Sequence, residues 1–436
     1  MPKSFILSNA IIIPLNPTEG KPFGGSLVVE NGRIAWLGQS SLLPEKYAGL
    51  PVEELSGQAL LPGLINGHLH SEAVIFRGLQ EDASLLEQYH LTGKLNDLLE
   101  PEVIPLVRRL AYLECAQGGT TFLLDHTFTE LEDDLAKPFN DIGVGGGLTL
   151  SKDAPGELFQ NLSADGLLTY VSAPGEEDWS EEVLKTYCHL QESRGVPLYL
   201  HLAETTWRWQ LAKDRFGLSP VAALAKFGLL KKDTVGVHGV WMDDADIALL
   251  AESGTSIINT PTAEMKLSDG VAPLPSLLSA GVKVGLGTDG ALWNNGSDML
   301  LEAKTATLLH RLISGAHALS AEKALRLATI ETAKCLGIDR QTGSLEVGKR
   351  ADIFSINLRV PHLQPIYLGE VSNVVESIVQ SGSGRDVVNV WVGGEKIVAD
   401  GHSTKVDEDS LLSDFAALAE SLYANIAATI CKAGER

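Results

Sequence analysis

The sequence predicts an α/β chain: a (β/α)8 TIM-like barrel with a small β-sandwich formed by both termini. Three observations predict it. Between about residues 60 and 345, short runs rich in Val, Leu and Ile alternate with helical segments, the pattern of parallel strands and crossover helices. Four of those runs deliver histidines or acids: LLPGLINGHLH ends at His68 and His70, PLYLHLAET carries His201 and Glu204, His238 follows VGV, and Asp289 sits in VKVGLGTDGA. Functional side chains of such barrels gather at the C-terminal ends of the strands. Finally, both ends of the chain read as short strands and tight turns, not as strand–helix units.

Taken in order, residues 1–59 are expected to form the N-terminal part of the sandwich. SLVVENGRIAWLG places Asn31-Gly32 between two apolar runs, a strong hairpin signal. Residues 60–345 form the barrel. Its helices include PEVIPLVRRLAYLECAQGG, which ends at Gly118-Gly119, and DDADIALLAESG, which starts at Asp243 and stops at Gly254. Residues 346–436 return to strands, with VVNVWVGGEKIVADG turning at Gly393-Gly394, and finish in DSLLSDFAALAESLYANIAATICKAG. Apolar positions at helical spacing make this last stretch a helix that packs on the sandwich or barrel, or serves a dimer contact. No internal repeat or low-complexity linker interrupts the chain. Its 436 residues suit a decorated barrel.

The residue types carry chemistry. Three imidazoles and one carboxylate suit Zn2+, with Fe2+ also tolerated. Residues two apart on a strand share a face, so His68 and His70 can address one ion. A divalent ion so held acidifies a bound water. Glu204, three residues after His201, is placed to accept a proton from that water and return it to a leaving group. Asp289 could be a ligand and also accept a hydrogen bond from the water. His238 could stabilise charge developing on a substrate. Each element alone has a plainer reading: His238 as a hydrogen-bonded core residue, Asp289-Gly290 as a turn. The joint, ordered pattern is what favours a metal site.

GHLH after LLPGLIN, HLAET, VHGVWM, NTPTAEMKLSDGVAPL and GLGTDGA with NNGSDM together resemble the amidohydrolase superfamily. They are most similar to its branch of S-adenosylhomocysteine and methylthioadenosine deaminases and triazine hydrolases. The resemblance covers nearly the whole chain. It implies that His68, His70, His201 and Asp289 ligate one metal, that Glu204 is the proton shuttle, and that His238 acts on the substrate. It also implies the barrel with its terminal sandwich, and a homo-oligomer, dimer or tetramer.

Departures from the family pattern bear on substrate. SAPGEEDW puts Gly175 where adenosine-type relatives carry a substrate-contacting histidine. Ala263-Glu264 stands where Ser-Asn is common. Glu264 either meets a cationic or amino-rich substrate or is a solvated loop acid. Trp293 either stacks on a flat ring or packs at the barrel mouth. Asp125-His126 follows TTFLL at another strand end, making His126 a candidate substrate contact. Arg77 in FRGL is a candidate of the same kind, or a loop anchor.

The function this supports is a mononuclear metal-dependent aminohydrolase that hydrolyses an amino-substituted ring carbon and releases ammonia. Two alternatives stand beside it: the same fold cleaving a different C–N bond or a C–Cl bond, and a non-catalytic barrel. Because some triazine-dechlorinating relatives lack the glutamate, Glu204 favours an amine leaving group.

Composition agrees. Hydrophobic residues make up 44%, enough for a large core, and the net charge of -22 repels phosphate backbones, so nucleic acid is not an expected partner. Cys115, Cys188, Cys335 and Cys431 form no C-x-x-C and suit a reducing compartment. The N-terminus lacks the regions of a signal peptide and no apolar stretch reads as a membrane span. The expected location is cytoplasmic, with a small-molecule amino-heterocycle as partner.

Overall fold

The computed structural model describes residues 4–16, 21–128 and 135–434. Eight parallel strands follow one another around the barrel: Leu64–Leu69, Thr120–Asp125, Gly145–Leu150, Leu168–Ser172, Leu198–Leu202, Thr234–His238, Ser256–Asn259 and Val284–Leu286. Each pairs with its sequence neighbour, so the order is simple. The first and eighth meet where the amides of Thr288 and Asp289 both donate to the carbonyl of His68, at 3.1 and 3.0 Å. The barrel strands read as near-continuous apolar runs because both faces are covered. Leu64–Leu69 and Thr120–Asp125 are buried at every position.

Both termini join, as expected, in a further β-layer, which is one continuous sheet. Its nine strands are mixed in direction. Strand Gln58–Pro62 pairs in parallel with Ser4–Ile12 and antiparallel with Ile353–Asn357, which joins the two ends of the chain. The Asn31-Gly32 hairpin forms between Phe23–Glu30 and Arg33–Gly38. Asn31 (φ 50°) and Gly32 (φ 77°) are both left-handed, the backbone that a two-residue turn matched to strand twist requires. Gly393-Gly394 turns the second hairpin in the same way.

Helix boundaries follow local chemistry. Asp244–Ser253 starts at a reciprocal capping box between Asp243 and Asp246 and stops at Gly254 (φ 74°). Ile104–Gln117 is preceded by a short 3-10 turn at Pro101–Val103. The terminal helix Glu408–Gly434 packs on the barrel helices Leu85–Asn96 and Ile104–Gln117. Its Ile426 joins Phe76, Leu91, Leu95 and Trp293 in one apolar cluster. Among the described residues, no helix is long and apolar enough to cross a membrane.

Candidate active site

The C-terminal ends of the first, fifth, sixth and eighth barrel strands converge on one point. His68 and His70 come from the first, His201 from the fifth, His238 closes the sixth, and Asp289 follows the eighth. All but the partly buried His201 are buried. His70 Nε2 lies 3.3 Å from His201 Nε2. Asp289 Oδ1 lies 3.4 Å from His68 Nε2 and 3.5 Å from His70 Nε2. Donors about 2.0–2.1 Å from a tetrahedral ion stand roughly 3.3–3.4 Å apart, so these three pairs have the spacing of ligands to one ion. Among the described residues, the sets whose donor atoms all lie within 4.8 Å of one another are His68, His70, His126 and His201, and His68, His238 and Asp289, with His68 common to both.

Tautomers support the same reading. Tyr199 Oη donates to the Gly67 carbonyl at 2.7 Å, so its oxygen accepts from His68 Nδ1 at 3.1 Å. His68 Nε2 is thereby left as a bare acceptor. It is buried and has no hydrogen-bond partner among the described residues, a costly arrangement unless a cation completes it. His70 Nδ1 donates to the His126 carbonyl at 2.7 Å, which frees its Nε2 in the same way. Burial, reinforced by the neighbouring imidazoles, pushes His68, His70 and His201 well below the ordinary histidine range. They are held neutral, the form that ligates.

Glu204 and His238 stand beside the cluster. His238 Nε2 is 3.4 Å from Glu204 Oε1. On its other side, Nδ1 is 2.8 Å from Thr260 Oγ1 and 3.6 Å from Glu264 Oε1. Burial opposes an imidazolium here, but Glu204, Glu264 and Asp289 outweigh it and raise His238 to about 9. Burial raises Glu204, while His238 and Arg208 pull it back. Opposed influences of this kind suit a group that must both take and give a proton. Ala203, His238 and Asp289 all have left-handed backbones, with φ of 51°, 71° and 64°. Non-glycine residues rarely adopt this conformation. The turn at each strand end aims the side chain and is held by surrounding hydrogen bonds.

A cavity of about 460 Å3 opens on the cluster, a size suited to a drug-sized or nucleoside-sized ligand. His70, His201, Glu204, His238, Asp289 and Trp293 line it, as do Arg208 and Phe128. The helix Leu85–Asn96 supplies Leu85, Tyr89, His90 and Lys94. The rings of Trp293 and His70 meet in a T-shaped contact, with centroids 5.2 Å apart.

Three of the sequence-derived substrate candidates do not line this cavity. Arg77 is anchored by an ion pair with Glu114 and donates to the Asn295 carbonyl at 3.1 Å, so it ties loops together. Glu264 is neither solvated nor facing a ligand. It is buried and accepts from Asn259 Nδ2 at 2.7 and 2.8 Å and from the Thr260 amide at 3.1 Å. These bonds fix it behind His238. His126 is buried, bonds Ser172 Oγ through Nε2 at 2.9 Å, and stacks on His70 and His201. Its ligating atom falls within 4.8 Å of those of His68, His70 and His201, and its Nδ1 is buried with no hydrogen-bond partner among the described residues, so it belongs to the histidine cluster and does not face the cavity. Trp293 does line the cavity.

Sequence reasoning missed Arg208, Tyr89 and the helix that carries Tyr89. The spacing of Glu204 and Arg208, four residues apart across a Thr cap, was the available signal for the first. The second follows only from where the chain goes after the first strand.

Comparison with known proteins agrees with the geometry. A 5-methylthioadenosine/S-adenosylhomocysteine deaminase from Thermodesulfovibrio yellowstonii is 32% identical over 431 residues, covering 94% of this chain and 97% of that protein. A 5'-deoxyadenosine deaminase from Methanosarcina mazei is 30% identical, covering 97% and 99%. Among solved structures, an adenosine deaminase from Xanthomonas campestris with bound zinc superposes with a TM-score of 0.87 at 24% identity, covering 97% and 98%. An atrazine chlorohydrolase from Arthrobacter aurescens TC1 complexed with zinc gives 0.84 at 21%, covering 95% and 100%. A family model described as amidohydrolase family matches residues 59–397. With that match across most of its length, the chain belongs to the amidohydrolase family.

Proposed function

We propose that this chain is a metal-dependent aminohydrolase that deaminates an amino-substituted cyclic amidine. The single observation that carries the proposal is the Glu204–His238 pair, 3.4 Å apart, beside a cluster whose imidazoles keep bare nitrogens. His68, His70, His201 and Asp289 would hold one ion, and zinc suits the donor set and its spacing. When bound, the ion acidifies water and so makes a nucleophile available at neutral pH.

The chain's own residues account for the rest. Glu204 accepts a proton from the attacking water as its oxygen bonds to the ring carbon. Charge builds on the ring nitrogen or on the carbon's substituents, and His238, flanked by Glu204 and Glu264, donates to it. Glu204 then passes its proton to the exocyclic amine. The C–N bond breaks and ammonia leaves; the remaining hydroxyl proton passes to the ring nitrogen, and the ring carbon becomes a carbonyl beside a ring N–H. Trp293 and Phe128 offer apolar faces for a flat ring. The named relatives make adenine-bearing nucleosides the first substrates to try, with aminopterins and aminotriazines next.

The test is ammonia release by the zinc-loaded protein across that panel, with Glu204→Gln alongside. Release from one ring class, lost by roughly 100-fold or more in the variant with zinc retained, is expected. Undiminished turnover by Glu204→Gln would refute the assignment. Chloride release from a halogenated triazine in place of ammonia would favour the dechlorinating alternative.

A further inference from the structure

The proton shuttle is gripped from behind by residues that the mechanism above does not use. Arg208 sits in the first turn of helix Thr206–Phe216, where its amide donates to the Thr205 cap at 3.1 Å. Its side chain lines the cavity yet is only 6% exposed. Nε and Nη2 form a bidentate pair with the two oxygens of Glu177, at 2.9 and 2.8 Å. Nη1 donates to Glu204 Oε2. The other oxygen of Glu204 faces His238 Nε2 at 3.4 Å. The two carboxylate oxygens therefore have separate partners.

The preceding acid acts on the same residue by another route. Glu176 is fully buried and accepts from the Ala203 amide at 2.7 Å. Ala203 is the left-handed residue immediately before Glu204. Glu176 and Glu177 belong to the short turn Glu176–Asp178 after the fourth barrel strand. That turn lies in the SAPGEEDW stretch, where the sequence departs from its adenosine-type relatives. One acid fixes the backbone leading into Glu204 and the next fixes the arginine that holds its carboxylate.

We propose that Arg208, locked by Glu177, is a positioning residue that selects the orientation of the Glu204 carboxylate. The physical ground is rotational freedom. The terminal torsion of a glutamate is broad and roughly two-fold, so an untethered carboxylate beside water samples many orientations. A guanidinium fixed by a bidentate bond presents a donor at one point. It ties Oε2 and leaves Oε1 for the proton. Burying a guanidinium with carboxylates is a poor route to stability, so the arrangement is better explained by the geometry it enforces.

The inference rests on the deaminase reading for its kinetic consequence, but not for its structural one. The experiment therefore has two arms on the zinc-loaded protein. In the first, steady-state ammonia release is measured for wild type, Arg208→Gln, Arg208→Lys and Glu177→Gln. Arg208→Gln is expected to keep one zinc per chain and lose about 100-fold in kcat, the scale of a misplaced catalytic group, with KM within about threefold. Arg208→Lys should regain part of the loss through its single donor, and Glu177→Gln should fall between it and wild type. A raised KM with unchanged kcat would overturn the proposal and make Arg208 a ligand for an anionic substrate group. In the second arm, crystal structures of zinc-loaded wild type and Arg208→Gln are compared. Glu204 should turn away from His238, or take several orientations, in the variant; an unmoved carboxylate would overturn the proposal. If no amino-heterocycle releases ammonia even with wild type, the deaminase reading fails while the second arm still decides the role of Arg208. If Arg208→Gln does not fold, Arg208→Lys and Glu177→Gln carry both arms.

Discussion

A single methyl group at Gly287 should damage the histidine cluster by pressing on the backbone and Cβ of His68. Gly287 directly follows the eighth strand, where the barrel closes against the first. A Cβ placed there would lie 2.6 Å from the His68 amide nitrogen, 2.7 Å from His68 Cβ and 2.9 Å from the His68 carbonyl oxygen. Two of those atoms are backbone and the third is the root of the side chain, so none can rotate away. Ordinary contact begins near 3.4 Å, so Gly287→Ala requires the two strands to separate by about 0.8 Å, an overpacking strain worth roughly 1–3 kcal/mol. The separation acts directly on the 3.4 Å pair of His68 and Asp289, because the His68 carbonyl also receives the Thr288 and Asp289 amides. Disturbing what orients a metal-ligating histidine costs about 10–100-fold in metal affinity. Zinc affinity, measured by competition with a chelator, should therefore fall by at least tenfold, and unfolding should shift to lower denaturant. Gly296→Ala is the control, since its nearest neighbour is Glu114 Oε1 at 3.9 Å. Wild-type zinc affinity and stability in Gly287→Ala would refute the idea that strand closure sets the ligand geometry.

Three further outcomes follow from named contacts. Burial pushes Glu176 up from 4.5 to about 7 against the pull of Arg208 and the Ala203 amide. An acid raised in the folded state loses its stabilising contribution as pH climbs from its unfolded value through its folded one. Glu176→Gln should thus gain stability relative to wild type by roughly 3 kcal/mol between pH 4.5 and 8. Denaturant titrations at the two pH values check this, and a pH-independent difference would contradict it. Tyr199→Phe removes the acceptor for His68 Nδ1 and should weaken zinc binding about 10–100-fold while leaving the other ligands in place; equal chelator competition would count against a role for the phenol. Trp293→Ala should raise KM by about tenfold with a smaller change in kcat if the indole faces the ring of the substrate. An unchanged KM would assign Trp293 to packing alone.

Some of this site is legible in the chain because strand chemistry is local. LLPGLINGHLH places two histidines on one strand face by alternation alone, and the apolar run before His201 marks another strand end. The Asn31-Gly32 turn is similarly local, since both residues must adopt positive φ. Glu264 shows where local reading stops. Read locally, it either meets a cationic substrate or sits in a solvated loop, and it does neither. Only the bonds from Asn259 and Thr260 show that it supports His238. Arg77 reads in sequence as a substrate contact or a loop anchor, and its pairing with Glu114, thirty-seven residues away, makes it the anchor.

The sequence by itself determines the barrel and the strands of both termini, and it supplies the four groups proposed to meet at one ion and the glutamate beside them. Each depends on short-range periodicity or on the chemistry of the residue itself. Tertiary structure alone decides which nitrogen of each histidine is free, which acids are buried, and which residues wall the cavity. Those properties arise from partners distant in the chain: Tyr199 for His68, His126 for His70, and Glu177 for Arg208. No periodicity reports such pairings, because burial and hydrogen bonding are set by what the closed barrel brings to each strand end.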